Sequence, residues 1–263
     1  MRSSAERWNR AIKPFLLPKT ADSNEQEARS YLEFPGVIED GRRRAAMIPV
    51  RKEDQILEIG PGPGILTLPL AERARFVRTV EPCPAMAALL GERAEEAGLL
   101  NIETLPLRWE DYEDARIFDL VVCSLSLLLS DIETSLQKMN RLAARAVYIF
   151  WFDGETRRER EHRLLKPLHP PDIPILPKLK ELEAVLHDLG ISFDKRPLFD
   201  SGYPGSFLPK EEILQSIKNR HQLDSSADSF LERYLSEEYR EEGGRYQYRD
   251  QTRFSLLFWQ TSK

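Results

Sequence analysis

The sequence predicts an α/β fold: a doubly wound, seven-stranded, mostly parallel sheet with an antiparallel last strand, plus an N-terminal helical arm and inserted cap segments. Three observations point there. From residue 54 to about 154, short apolar runs alternate with helical stretches, which is the grammar of repeated strand–helix–strand units. The runs are nearly continuous in β-branched and large apolar residues, as strands covered on both faces should be. A glycine-rich turn, Gly60-Pro61-Gly62-Pro63-Gly64, falls between the first run and the helix after it.

Taken in order, residues 1–49 read as helical and polar, broken by Pro14, Pro18 and Pro35, and form an arm or lid. Strands are expected at 55–60, 76–82, 101–107, 118–124 and 146–151, with helices at 65–74, 84–97 and 131–144. Pro84 suits a first helical turn and Gly98 a stop. Such alternation winds right-handedly. Residues 154–177 are charged and then proline-rich, the pattern of an inserted loop or short helical cap. Beyond it come a helix at 178–189 closed by Gly190, a strand at 191–198, helices at 209–223 and 227–239, and a last strand at 253–260. The acidic run Ser236-Glu237-Glu238-Tyr239-Arg240-Glu241-Glu242 reads as a solvated helix end. The expected division is an arm at 1–49 and a main domain at 50–263, whose core is 54–154 and whose caps are about 155–177 and 200–245.

Composition narrows the function classes. The chain has 263 residues, 41% hydrophobic and 31% charged, which suits a packed globular fold. Its longest apolar stretch, from Val121 to Leu129, is far below the roughly 20 residues of a membrane span. The charged N-terminus lacks a secretory apolar core, so the expected location is cytoplasmic. Two cysteines, Cys83 and Cys123, and four histidines show no metal-ligand or disulfide spacing, so no metal is expected. A net charge of −5 disfavours nucleic acid unless a local basic patch forms. The candidates for that patch are Arg42-Arg43-Arg44 and Arg157-Arg158-Glu159-Arg160, although short charged runs more often form solvated helix faces.

Glycines at a strand–helix junction allow a ligand to approach the backbone. Glu58 precedes them at the strand end, where a carboxylate meets a cationic ligand group and repels a phosphate. With GxGxG in place of GxGxxG, this disfavours nicotinamide and flavin dinucleotides. Glu81 ends the second strand about 20 positions on, placed to take the hydroxyls of a ribose. The bland alternative is a tight turn with two surface acids.

Through Ile56-Leu57-Glu58-Ile59-Gly60-Pro61-Gly62-Pro63-Gly64, Val80-Glu81-Pro82 and Phe118-Asp119-Leu120-Val121-Val122, the chain resembles the class I, Rossmann-like methyltransferase superfamily over roughly residues 54–154. The resemblance implies S-adenosylmethionine as cofactor and S-adenosylhomocysteine as product. By that likeness Glu58, Gly60, Pro61, Gly62 and Gly64 face the methionine part, and Glu81 with Pro82 the ribose. Adenine would lie at the end of the third strand, where the family usually has an acid followed by a small residue. This chain has Arg108-Trp109-Glu110-Asp111, so Trp109 would cover the adenine face and Glu110 or Asp111 accept from its amino group. A buried structural Trp is the competing reading. Residues 57–70 look especially like those of ribosomal RNA adenine dimethyltransferases. Those enzymes carry Asn/Asp-Pro-Pro-Tyr or Asn-Leu-Pro-Tyr after the fourth strand to hold the target amine; here Cys123-Ser124-Leu125-Ser126 stands there, which disfavours a base amine as acceptor.

Ligands of doubly wound sheets sit outside the carboxyl ends of the strands, which nominates Ser124, Ser126, Trp151, Phe152 and Asp153. Ser124 joins the expected cofactor contacts, and Asp153 is the candidate catalytic residue, orienting a substrate or acting as base. Its bland alternative is a helix cap. His169 lies in the expected cap and Tyr203 in a glycine- and proline-marked loop, either of which could reach the site, although a surface-loop histidine and a merely packing tyrosine are the commoner cases. The expected activity is methyl transfer to a small molecule, without a membrane partner. The alternatives are an RNA or protein methyltransferase, with a basic rim built from Arg42, Arg43, Arg44 and Arg108, and a non-catalytic cofactor-binding or interaction protein.

Overall fold

The computed structural model describes residues 3–16, 29, 32, 36–168, 170–198, 207–249 and 252–261. His169 and Tyr203 fall outside the described residues.

At the centre are strands β1 (Gln55–Ile59) and β4 (Phe118–Ser124), paired in parallel with Ile59 opposite Cys123. On one side follow β2 (Phe76–Val80) and β3 (Ile102–Leu105), also parallel. On the other side come parallel β5 (Ala143–Phe152), then β10 (Phe254–Gln260), antiparallel to β5, and finally edge strand β6 (Asp194–Leu198). The expected seven strands and antiparallel last strand are present, with the last strand inserted between β5 and β6.

Side-chain alternation feeds two cores. Leu57, Ile59, Val121, Cys123, Val147 and Ile149 face one cluster, and Ile56, Leu120, Val122, Ala146, Tyr148 and Phe150 the other. The first is closed by α1 (Ser4–Ile12), α5 (Ile132–Leu142) and α7 (Leu179–Asp188). The second is closed by α2 (Val37–Ala46) and α3 (Thr67–Ala71), so helices lie on both faces. Helix α4 (Pro84–Glu96) connects β2 to β3. The two edge strands depart from the expectation of full burial. β3 is half-buried along its length, and β6, Asp-Lys-Arg-Pro-Leu, is mostly exposed, because each has a sheet neighbour on one side only. Pro197 is tolerated in an edge strand for the same reason.

Helix α3 is shorter than expected because Pro69, which has no N–H to donate, fits only a first turn. Its neighbour α5 starts where the sequence places it, with Asp131 accepting from the Thr134 N–H, and ends where the ten-residue β5 begins. The arm is a packing element: α1, opened by a Ser3–Glu6 capping box, buries Trp8 and Ile12 completely and sets Trp8 5.7 Å from Trp151.

A third, separate hydrophobic cluster belongs to the inserted segments. Leu165, Ile213, Ile217, Leu231, Tyr234, Leu235, Tyr239 and Tyr248 gather from α6 (Arg157–Leu164) and its sequel, α8 (Lys210–His221), α9 (Asp228–Glu238) and a small sheet. That sheet comprises β7 (Leu208–Pro209), β8 (Tyr239–Glu242) and β9 (Arg245–Tyr248). The acidic run expected as a helix end therefore leaves the helix at Glu238 and becomes a strand. Two glycines, Gly243-Gly244, form the hairpin loop, and the alternation of Tyr239, Tyr246 and Tyr248 gives the hairpin an apolar side. Glu238 is ion-paired with Arg160 on α6 at 2.8 Å, so this part of the run is a structural clasp.

Candidate cofactor site

The glycine loop leaves β1 at the carboxyl edge of the sheet. Gly60 continues the parallel pairing, its N–H bonding to the Val80 carbonyl at 2.9 Å, and then turns with φ +63°. A Cβ there would stand 2.5 Å from Ser126 Cβ, so glycine is required both by the backbone and by its neighbour. The Ser126 hydroxyl donates to the Gly60 carbonyl at 2.7 Å and ties the loop to the segment after β4.

Glu81 closes the loop from the other side. Its Oε2 accepts from the Gly62 N–H at 3.0 Å and its Oε1 from the Cys83 N–H at 2.9 Å. Burial pushes its pKa up, against the pull of these two donors. Pro82 lies between the two anchored residues. Gly64 packs against Leu90 of α4, where an added Cβ would stand 2.3 Å from its Cδ1, and Pro61 accepts from the Gly64 N–H at 3.1 Å. Every residue of the expected loop set thus lies in one bonded turn.

Glu58 stands directly below that turn and is 1% exposed. Burial drives its pKa to about 7, helped by the negative Glu81 and opposed by the Thr67 hydroxyl and the Arg44 charge. Glu58 Oε2 and Thr67 Oγ1 are both buried without a partner in hydrogen-bond geometry. A buried carboxylate oxygen with nothing to accept from is costly unless a ligand supplies the donor.

Helix α2 roofs the loop. Gly41 sits so close that an added Cβ would fall 2.2 Å from the Ile65 carbonyl oxygen. One turn of this helix carries Asp40 and Arg44, both buried and 2.9 Å apart, and Arg44 Nη1 donates to the Ser124 hydroxyl at 2.5 Å. The charged run Arg42-Arg43-Arg44 predicts a basic rim or a solvated face, yet Arg44 turns inward onto Asp40. Their i,i+4 spacing around a helical glycine is the signal that was available.

The remaining expected residues lie apart from the loop. Trp109 is 2% exposed, stacked on Tyr112 at 5.7 Å, with Lys138 Nζ 4.7 Å from its ring centroid. Its ring is therefore part of the core, in line with the structural reading and against an open adenine platform. Glu110 Oε1 accepts from both the N–H and the hydroxyl of Ser130, each at 2.8 Å. Burial works against this carboxylate, but Ser130 and Arg108 outweigh it and hold its pKa below the ordinary range. Asp153 is engaged by Ser255, whose hydroxyl donates at 2.6 Å, and by Lys195 Nζ at 3.5 Å. Both partners, on β10 and β6, engage Oδ2 of the carboxylate expected to act as base. It does not cap the next helix either, whose N-cap is Thr156. Trp151 is likewise structural, its indole N–H bonding to the Pro177 carbonyl at 2.8 Å.

No continuous basic rim forms from the four arginines considered. Arg44 is buried against Asp40, Arg42 lies 3.5 Å from Glu72, Arg43 3.6 Å from Glu39 and Arg108 3.6 Å from Glu110.

Comparison with known proteins agrees with the fold and with the loop. Residues 56–145 match the family described as a methyltransferase domain. Over 136 residues the chain is 31% identical to a probable ribosomal RNA small subunit methyltransferase A of Thermococcus kodakarensis, covering 51% of this chain and 45% of that protein. The chain spans between 17% and 62% of the length of the curated relatives it matches. Among solved structures, the YcgJ protein of Bacillus subtilis superposes with a TM-score of 0.54 at 13% identity, covering 86% of this chain and 99% of that one. Magnesium protoporphyrin IX methyltransferase of Synechocystis, solved with S-adenosylhomocysteine bound, superposes with a TM-score of 0.51 at 14% identity, covering 98% and 93%. The fold is that of the class I, Rossmann-like methyltransferases, and the methyltransferase-domain match covers less than half of the chain. Its matched region, from β1 to the start of β5, contains the glycine loop, Glu58 and Glu81.

Proposed function

We propose that this protein transfers a methyl group from S-adenosylmethionine to a small-molecule acceptor, and that it does so in the cytoplasm. The observation that carries the cofactor part is the buried, unpartnered Glu58 Oε2 beneath the turn. A site with an orphaned carboxylate oxygen and a close-packed glycine backbone fits a ligand that brings an ammonium group and needs near contact with the main chain. Glu58 would accept from that ammonium, and Gly60, Pro61, Gly62 and Gly64 would line the methionine part. Glu81 and Pro82 would border the ribose; each Glu81 oxygen holds one loop N–H and keeps a further lone pair to accept with. When bound, the cofactor supplies a methyl group already activated on a sulfonium. What remains for the chain is alignment and exclusion of water, so methyl transfer makes little demand for a strong base.

Two features favour a small acceptor. After β4 stands Ser124-Leu125-Ser126, without the proline-aromatic element that holds a base amine, and Arg42, Arg43, Arg44 and Arg108, the expected basic rim, each lie close to a carboxylate. The similarity to probable ribosomal RNA methyltransferases favours RNA instead and is the second reading. One experiment addresses both. The protein is titrated calorimetrically with S-adenosylmethionine, S-adenosylhomocysteine and an NADH control, beside Glu81→Ala, and is then incubated with radiolabelled cofactor and cell extract fractionated into metabolites, RNA and protein. Micromolar binding of the sulfur cofactors, weakened about tenfold or more in the variant, and label in the metabolite fraction are expected. Label in RNA would replace the small-molecule reading; absence of cofactor binding would overturn the whole proposal.

A further inference from the structure

The inserted segments hold a buried polar cluster that the cofactor site does not use. On α6, Glu161 is fully buried, and His162 beside it keeps a side chain 12% exposed. His221, the last residue of α8 and also buried, brings Nε2 to 2.6 Å from Glu161 Oε1, and Arg220 Nη1 donates to Glu161 Oε2 at 3.2 Å. A carboxylate only accepts, so in the neutral His221 ring the proton sits on Nε2 and Nδ1 is a bare acceptor. Both His221 Nδ1 and His162 Nδ1 are buried with no hydrogen-bond partner among the described residues. The two rings stack with centroids 6.1 Å apart, so α6 and α8 meet through a pair of imidazoles.

The groups around the pair are arranged against a further proton. Glu161 is a single negative charge that already faces the Arg220 guanidinium. Lys166 and Arg158 also act on His162, and the acid that opposes them, Asp172, is 88% exposed, 3.9 Å from His162 Nε2 and bonded to Lys166 Nζ at 2.7 Å. From α9, Tyr234 faces Glu161 with a buried hydroxyl that bonds neither ring, and from the small sheet Tyr239 takes a bond from Arg157. Glu238 is held by Arg160. A proton on either Nδ1 would thus be a buried, charged donor with no acceptor in place. We infer that the joint between α6 and α8 is an acid-sensitive latch: a proton taken up by His162, against His221 and the cations around it, parts the two helices and loosens the inserted segments while the sheet core stays folded. Burial, then the charges of Lys166 and His221, hold the His162 pKa below its ordinary 6.5 against the pull of Asp172. The unfolded ring takes up its proton near pH 6.5 and the folded ring only below it, so the stability tied to the neutral ring is complete above that pH and is lost as pH falls below it. The latch needs no cofactor to work.

Amide exchange of the full chain at pH 7.5 and 5.5, followed by mass spectrometry and corrected for the chemical exchange rate, reads the two parts separately. In the wild type, protection of 157–168 and 210–222 should fall about three- to tenfold at the lower pH, since uptake of one proton gives at most about tenfold per pH unit. Strands β1, β4 and β5 should keep or gain protection, because a protonated Glu58 favours the folded core. His162→Phe keeps a ring in the stack without a site for the proton, and His162→Gln removes ring and site together. In either variant, protection of α6 and α8 should differ by less than about twofold between the two pH values. The ring-proton shifts of His162 in the wild type should titrate over the same pH range in which protection falls. Equal protection of α6 and α8 at both pH values overturns the inference, as does a folded His162→Phe or His162→Gln chain that keeps the wild-type fall. Loss spread equally over the core strands also overturns it, since the inserted segments would then not open on their own. All of these outcomes leave the cofactor site untouched.

Discussion

At the residue scale, the cost of the site is concentrated on Glu58. Its pKa of about 7 lies above its ordinary 4.5, so near neutral pH the folded chain holds a proton that the unfolded chain has released. Stability from this group is full below pH 4.5 and is lost as pH rises through 7, by about 3 kcal/mol at most. Glu58→Gln should therefore melt higher than the wild type at pH 8 and nearly alike at pH 4.5, in thermal melts followed by circular dichroism. A variant destabilised equally at both pH values would show that Glu58 is needed for packing instead. Cofactor binding should run opposite to stability, strengthening from pH 6 to 8 as the carboxylate ionises to meet a cation. The cysteine at the same sheet edge takes no such part: burial pushes the Cys123 thiol up to about 12, so it is no nucleophile.

At the element scale, α2 and the loop act as one unit through Gly41. Glycine within a helix costs about 1 kcal/mol relative to alanine, and here the missing side chain lets α2 lie against the Ile65 carbonyl. Gly41→Ala should consequently destabilise the fold by about 1–3 kcal/mol in urea titration, reversing the usual sign of a helical Gly→Ala change. It should also weaken cofactor binding, since the displaced helix packs on the segment that follows the glycine loop. A stabilised variant would mean that α2 does not roof the loop in solution. The β-strand elements were legible from composition where both faces are buried, as in β1 and β4. The three-stranded sheet of the insertion was not, because its strands are four residues or fewer and their charges suggested a helix end.

At the scale of the whole molecule, the third hydrophobic cluster makes the inserted segments a packing unit of their own, and we propose that they behave as a cap on the methyltransferase core. Leu231→Ala, which removes a fully buried side chain from that cluster, should cost about 2–5 kcal/mol. The loss should appear as faster amide exchange in 157–168 and 208–248, with the tryptophan fluorescence transition retained, since Trp8, Trp109, Trp151 and Trp259 all belong to the first core. Parallel loss of protection across β1, β4 and β5 would instead make the protein one cooperative unit.

The sequence by itself determined the doubly wound, mostly parallel sheet, the position of the glycine turn and the two acids that flank it, because these are set by local patterns: alternation, a φ-permissive triplet and a fixed spacing to the next strand end. The same residues carry the resemblance to a methyltransferase domain. Only the tertiary structure decided which polar groups are satisfied. It spent Asp153 on Ser255 and Lys195, Glu110 on Ser130 and Trp109 on the core, and it buried Arg44 where a charged run suggested solvent. Partners brought together from 80 or more positions apart, as Arg44 and Ser124 are, leave no local pattern to read; their pairing follows from which helix the folded sheet draws over its own carboxyl edge.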